Sequence, residues 1–331
     1  MSGKIGISVL GLVTVMALAA AGLISRPVSA TGAEAQATLP DYRRVDGIAG
    51  TLFSVGSDSL ANLMTLWGEA FKRVYPNFTI HIQAAGSSTA PPALSEGTSS
   101  LGPMSRRMTS SEESAFEARY GYKPTAIRVA VDLVAVFVNR NNPVVGMTIP
   151  ELDAVFSATR NCGYPQAVTE WGQLGLSGAW KQHRIQLFGR DSWSGTHEYF
   201  KKKALCKGDY RATVTKQPGS AAVVQEVAAA RNGIGYASIG YRTAGVRAIP
   251  LAGASGEQFV EPTPDNAFAG RYPLTRFLYI YCNKPPHRSL PPLEKEFLTL
   301  VLSRTGQRVV IKDGYVPLSA DLAEEERAKL E

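Results

Sequence analysis

Residues 51–60 read TLFSVGSDSL, and residues 78–89 read FTIHIQAAGSST. Thr51 to Val55 is a short apolar strand, and Phe78, Ile80 and Ile82 alternate as a second. Both strands run straight into hydroxyl-rich turns. Between them Leu60, Leu63, Met64, Trp67, Phe71 and Val74 recur at helical spacing up to the breaker Pro76. Strand, turn, helix, strand and turn in that order is how an α/β sheet is assembled.

The same alternation continues outward. A Gly/Ser-rich corner spans Ser99 to Ser105, an amphipathic stretch runs from Glu112 to Tyr120, and Thr148-Ile149-Pro150-Glu151 is a capping box opening a helix through Phe156. Ile185 to Phe188, Gly235 to Ile239 and Val246 to Leu251 are strand candidates. Thr196 to Leu205 is a helix, Ser220 caps a helix ending at Gly233, and Pro292 to Leu302 and Thr305 to Lys312 close the chain as helices. Two long apolar runs, Ile127 to Asn139 and Leu274 to Asn283, bracket the middle section. The expected organisation is a first lobe over 47–139 completed by 273–331, a second lobe over 140–272, and a cleft between them.

The chain has 331 residues, 44% hydrophobic and 19% charged, with 35 basic residues against 28 acids. This excludes a disordered tail, a collagen-like fibre and a disulfide-dense miniprotein. The net charge of +7 is spread along the chain with no block of five like charges, no P-loop and no basic-aromatic stripe, so a nucleic-acid partner is not indicated. Residues 1–30 read as an export signal: Lys4, an uncharged run from Ile5 to Ile24, and the small-residue site Val28-Ser29-Ala30. The run is long enough to span a bilayer, so an uncleaved anchor is the competing reading. Residues 31–46 are small and polar, a flexible leader. In an exported protein Cys162 and Cys206, both in loop-like surroundings, are candidates to pair, whereas Cys282 ends an apolar run and reads as a buried thiol.

Three strand ends carry turns leading into helices: Gly56-Ser57-Asp58-Ser59-Leu60, Gly86-Ser87-Ser88-Thr89, and Gly189-Arg190-Asp191-Ser192-Trp193-Ser194-Gly195-Thr196. A helix start offers unpaired N–H groups and a positive dipole end, hydroxyls add adjustable donors, and glycine lets the backbone approach. Each serine alone would be read as a cap of its own helix. Three such turns, one with the planar cation of Arg190, read instead as an oxyanion pocket without metal or other cofactor. Trp193 reads as packing that fixes the Arg190 loop.

The ordered set of motifs resembles the periplasmic phosphate-binding proteins of the PstS type that serve ABC importers. It comprises G-S-D-S-L at Gly56 to Leu60, the G-S-S turn at Gly86, L-G-x-x-S-R at Leu101 to Arg106, Asn142-Pro143, R-x-x-x-S-G-T at Arg190 to Thr196, Gly233-Ile234-Gly235-Tyr236, Tyr272 to Arg276 leading into Leu278 to Tyr281, and Gly314 to Leu318. The resemblance implies a two-lobe α/β periplasmic binding protein-like fold of type II, with mixed sheets, two crossing hinge strands and one phosphate in the cleft. It implies that Ser59 and Leu60 contact phosphate through hydroxyl and amide and that Ser87 does so at the second turn. It further implies that Ser105 stands at the third corner, that Arg190 pairs with the anion, and that Ser194, Gly195 and Thr196 present donors. The implied partners are inorganic phosphate and an inner-membrane phosphate permease. The implied state is a periplasmic monomer.

The sequence departs from the pattern twice. Many relatives place an Asp at the third corner to accept phosphate's proton and repel sulfate, where this chain has Ser105 followed by Arg106; Asp58 is the candidate to take over that acceptor role. The acid that often steadies the arginine two positions on is Ser192 here, and the adjacent Asp191 is expected to point outward. Arg107 reads as solvated surface, while Arg106 is open between surface and a contribution to the cleft's positive field. Binding of sulfate or molybdate, or a sensor or adhesin on the same scaffold, remains an alternative. An exported serine hydrolase or phosphatase ranks lower. Ser194, His197 and Asp191 are close in sequence, but G-x-S-x-G is absent and there is neither H-E-x-x-H nor an acidic metal cluster. The expectation is a binder, not an enzyme.

Overall fold

The computed structural model describes residues 39–331, so the export signal, its cleavage site and the first part of the leader lie outside the described residues. The core is a curled mixed sheet with helices on its faces. Its strand order is β2 (Phe78–Ala84), β1 (Gly50–Gly56), β3 (Leu101–Met104), β11 (Thr275–Cys282), β4 (Thr125–Asn139), β8 (Gly233–Ser238), β6 (Gln186–Arg190) and β7 (Thr215–Gln217). A further strand, β9 (Val246–Ala248), pairs with the end of β4, and β5 (Met147–Thr148) and β10 (Leu251–Ala252) form a separate pair.

One strand belongs to both halves of the sheet. The first part of β4, Thr125 to Leu133, runs antiparallel to β11, and its second part, Val134 to Val138, runs antiparallel to β8. Buried on both sides along most of its length, β4 accordingly reads TAIRVAVDLVAVFVN, nearly continuous apolar sequence rather than an alternation. The helix Ala61–Val74 packs Leu63, Met64, Trp67 and Phe71 inward, and the Trp67 indole N–H donates to Gly306 O at 2.9 Å. The helix Ile149–Phe156 opens on the expected capping box, Thr148 and Glu151 satisfying each other's backbone N–H.

Several expectations shift on inspection. The candidate strand Val246 to Leu251 is divided between β9 and β10. The helix expected to be capped by Ser220 is Ser220–Ala229, its N-cap is Gly219, and the Ser220 hydroxyl is used elsewhere. A third closing helix, Ala320–Ala328, follows the two that periodicity indicates. The described part of the leader is docked. Leu39 is buried, Arg304 donates to Pro40 O and Leu39 O, and Tyr42 Oη is 2.7 Å from both Tyr75 Oη and Glu296 Oε2. Cys162 and Cys206 form a disulfide and Cys282 is a buried free thiol, whose pKa burial pushes up to about 12. Among the described residues no helix is long and apolar enough to cross a membrane, and no group of three or more His, Cys, Asp or Glu could hold a metal ion.

Candidate functional site

The turns that follow β1, β2, β3 and β6 meet at the carboxyl ends of their strands, the place where open α/β sheets hold ligands. Ser59, Ser87, Ser105 and Thr196 are fully buried, and Ser57 and Ser194 nearly so. Ser57 Oγ donates to Ser105 Oγ at 3.1 Å, Ser87 Oγ and Ser105 Oγ are 3.2 Å apart, and Ser105 N donates to Ser87 Oγ at 3.1 Å. On the other side Ser59 Oγ lies 3.1 Å from Thr196 Oγ1. Each hydroxyl carries one rotatable hydrogen, so bonds made among them can be exchanged for bonds to an oxyanion without moving the backbone.

Glycine allows the two halves to touch here. A Cβ on Gly195 would lie 2.4 Å from Ser87 Oγ and 2.7 Å from Ser105 Oγ, and one on Gly86, whose φ is +106°, would lie 2.6 Å from Trp193 O. Trp193 does not pack as expected. Its side chain is 60% exposed, and its backbone carbonyl makes the contact, accepting from Ser88 N at 3.2 Å.

Arg190 ends β6 and is 1% exposed. Its Nη2 donates to Asp58 Oδ1 at 2.7 Å and Pro218 O at 3.0 Å, Nη1 to Ser220 Oγ at 3.0 Å, and Nε to Gln217 O at 3.4 Å. Asp58 Oδ2 accepts from Ser220 N at 2.9 Å. The acid that steadies the arginine is therefore Asp58 from the first turn, and the acceptor role expected of Asp58 meets a carboxylate already engaged at both oxygens. Asp191, expected to point outward, has a buried Oδ1 without a hydrogen-bond partner among the described residues. Tyr241 Oη donates to Asp58 O and Tyr315 Oη to Ser59 O, each at 2.6 Å, pinning the first turn. Burial raises both phenol pKa values and keeps them donors.

The remaining residues are placed as follows. The Leu60 side chain is in the core and its amide donates to Ser57 O at 3.3 Å within the turn. Ser194 Oγ caps the helix Gly195–Ala204, accepting from Thr196 N at 3.2 Å and His197 N at 3.4 Å. His197 turns its Nδ1 to Arg190 O at 2.9 Å and stacks on Tyr210, burial lowers its pKa, and among the described residues no hydrogen bond joins its ring to a serine. That arrangement is not a catalytic triad.

Arg106 resolves as a buried cation. It forms a fork with Glu112 at 2.7 and 2.8 Å, donates to Ser88 Oγ at 3.0 Å, and reaches across to Glu198 with Nε at 2.5 Å from Oε2. Burial opposes its charge, but Glu112 more than offsets this and raises the Arg106 pKa. Arg107 is exposed, its guanidinium 5.6 Å from the Tyr279 ring centroid. Both arginines line a cavity of about 620 Å³ that also includes Glu198, Lys202, Lys203 and Arg276. Sequence reading missed Ser57, Ser220, Tyr241 and the buried pair Asp132–Arg276. Ser57 and Arg276 had a signal as members of quoted motifs, and Ser220 was legible only as a cap.

A family model described as a PBP superfamily domain matches residues 29–305. The chain is 58% identical to the phosphate-binding protein PstS of Pseudomonas aeruginosa over 309 residues, covering 93% of this chain and 96% of that one. It is 26% identical to the phosphate-binding protein PstS of Bacillus subtilis over 313 residues, 93% of this chain and 94% of the relative. Among solved structures, a protein from Clostridium perfringens assigned as a phosphate ABC transporter substrate-binding protein, with phosphate bound, superposes with a TM-score of 0.69 at 26% identity, covering 82% of this chain and all of that one. The chain therefore belongs to the PBP superfamily and, within it, to the PstS phosphate-binding proteins.

Proposed function

We infer that the protein captures one inorganic phosphate between the two halves of its sheet and delivers it to the membrane permease of an ABC importer, working as a periplasmic monomer exported by residues 1–30. The two halves act as lobes, 47–139 with 273–331 and 140–272, and close by a hinge motion of β4 and β11. One observation carries the reading: buried hydroxyls from four separated stretches, Ser57 and Ser59, Ser87, Ser105 and Thr196, gather beside the buried Arg190. Ser59, Ser87, Ser105, Ser194 and Thr196 supply hydroxyls, Leu60 and Gly195 supply amides, and Arg190, steadied by Asp58, supplies charge. In a site closed to water such charge-assisted bonds are stronger than at a surface.

The protein performs no bond chemistry, because Ser194 is engaged as a cap and His197 is turned to a carbonyl. Ser105, standing where many relatives have an acid, favours a second reading, a binder of tetrahedral oxyanions in general. Calorimetry against phosphate, sulfate, molybdate and a phosphonate decides between them. Phosphate preferred over the others, with Arg190→Ala at least about tenfold weaker, or about 1.4 kcal/mol, is the expected result. Absence of phosphate binding, or turnover of a chromogenic phosphoester in proportion to protein, would overturn the reading.

A further inference from the structure

Arg276 lies on β11 opposite Asp132 on β4, where the strand shared by the two halves meets its antiparallel neighbour. It is 6% exposed, and Asp132 is fully buried. Arg276 Nε and Nη2 donate to Asp132 Oδ2 at 3.0 and 2.7 Å, and Nη2 also reaches Thr196 Oγ1 at 2.8 Å and Ser238 Oγ at 3.1 Å. The other terminal nitrogen, Nη1, is buried and has no hydrogen-bond partner among the described residues. Buried donors left unpaired are rare and costly, so this one calls for a physical cause. Arg190 is in the opposite condition, with Nε, Nη2 and one side of Nη1 already committed to protein acceptors.

We propose that Arg276 is a second cationic residue of the anion site, holding the Thr196 hydroxyl as a donor and offering its own uncommitted Nη1 to the bound oxyanion. The proposal rests on the phosphate reading above. Thr196 Oγ1 accepts from a guanidinium that cannot act as an acceptor, so the Thr196 hydrogen is directed to Ser59 Oγ or to the ligand. With Asp58 facing Arg190 and Asp132 facing Arg276, the paired charges are balanced, and the anion is selected by donors that point at it. Arg276 also lines the 620 Å³ cavity, so it stands between that basic hollow and the hydroxyl cluster. The ionisable groups that face it are Asp132 from β4, Glu198, Tyr199, Lys202 and Lys203 from the helix Gly195–Ala204, and Arg106 and Arg107 across the cavity. Burial pushes Tyr199 to about 12, leaving it a neutral phenol at neutral pH.

An Nη1 that can only donate fits an unprotonated oxygen and not a P–OH, so it favours dianionic phosphate over the monoanion, which separates direct action from mere support of the fold. The test is phosphate titration by calorimetry from about pH 6 to about pH 8 for wild type, Arg276→Gln, Arg276→Lys and the double variant Asp132→Asn/Arg276→Gln, which replaces the ion pair by a neutral amide pair. The expected result is a wild-type affinity that rises with pH. Arg276→Gln and the double variant lose about tenfold or more at the upper end with a flatter profile, and Arg276→Lys recovers part of the slope. Wild-type affinity and slope in a folded variant lacking Arg276, or a loss equal at every pH, would overturn the proposal alone. If Arg276→Gln does not fold, the double variant reports. A wild type that binds no phosphate overturns this proposal together with the functional reading.

Discussion

Alanine at position 195 would place a methyl group in the contact that joins the two halves of the sheet. Its Cβ would lie 2.4 Å from Ser87 Oγ, 2.7 Å from Ser105 Oγ and 2.9 Å from Ser87 Cβ. Non-bonded heavy atoms are comfortable at about 3.5–4.0 Å, so the surfaces must part by roughly 1 Å. Overpacking of this size costs about 1–3 kcal/mol, and the cost falls on the closed arrangement only. Converted to affinity, that is roughly a five- to 150-fold rise in the phosphate Kd for Gly195→Ala. The assay pairs calorimetric titration with thermal unfolding in phosphate-free buffer. The Tm without phosphate should match wild type, because an open cleft relieves the clash, while the rise in Tm on adding phosphate should shrink by the lost binding energy. Wild-type affinity would refute the argument, since the approach of Gly195 to Ser87 and Ser105 would then play no part in holding ligand. A lowered Tm with unchanged affinity would refute it as well.

Three further outcomes follow from the same geometry. Asp58→Asn leaves the Arg190 charge buried without its carboxylate, so stability falls by about 3 kcal/mol in denaturant titration with the phosphate-to-sulfate preference unchanged; an altered ratio returns Asp58 to the acceptor role. Burial pushes the Glu294 carboxyl up to about 7, so the unfolded chain releases this proton first and wild type loses stability as pH rises from about 4.5 to about 7. Glu294→Gln should therefore raise Tm at about pH 8 but not at about pH 4.5, and parallel Tm curves would count against it. Replacing Cys162 and Cys206 by serine opens a loop with a sequence separation of 44 and costs about 4 kcal/mol in the chain-entropy model. An unchanged midpoint of chemical unfolding would show that the bridge does not restrain the unfolded chain.

Local pattern carried most of the fold. The run Thr51 to Val55 lies within β1, Ile127 to Asn139 lies within β4, and Leu274 to Asn283 brackets β11, because buried strands need apolar residues wherever they sit. The hydroxyl-rich turns were legible for the same reason, since donors for an anion must come from strand ends opening helices. What stayed hidden depends on register and on long-range pairing. Arg276 meets Asp132 only because β11 lies antiparallel to β4, and Asp58 meets Arg190 across 132 positions of sequence. Asp191 stood beside the arginine in sequence and drew attention for that reason. Ser220 was read as a cap because it precedes a helical pattern, yet its hydroxyl accepts from Arg190. Trp193 was read by its ring, whereas its carbonyl makes the contact.

β11 sits between β3 and β4, although more than a hundred residues separate it from either in the chain. A ribosome that has delivered Leu101–Met104 and Thr125–Asn139 has therefore made two strands whose common neighbour does not yet exist. The early part of the polypeptide must wait for Thr275–Cys282 before its hydrogen-bond ladder closes, a loop closure of the slow, non-local kind. The first half of the sheet is therefore completed only when nearly the whole chain has been synthesised, and any cellular route that handles the polypeptide extended has that interval in which to act. Loss of Thr275–Cys282 would for the same reason leave β3 and β4 without their common neighbour.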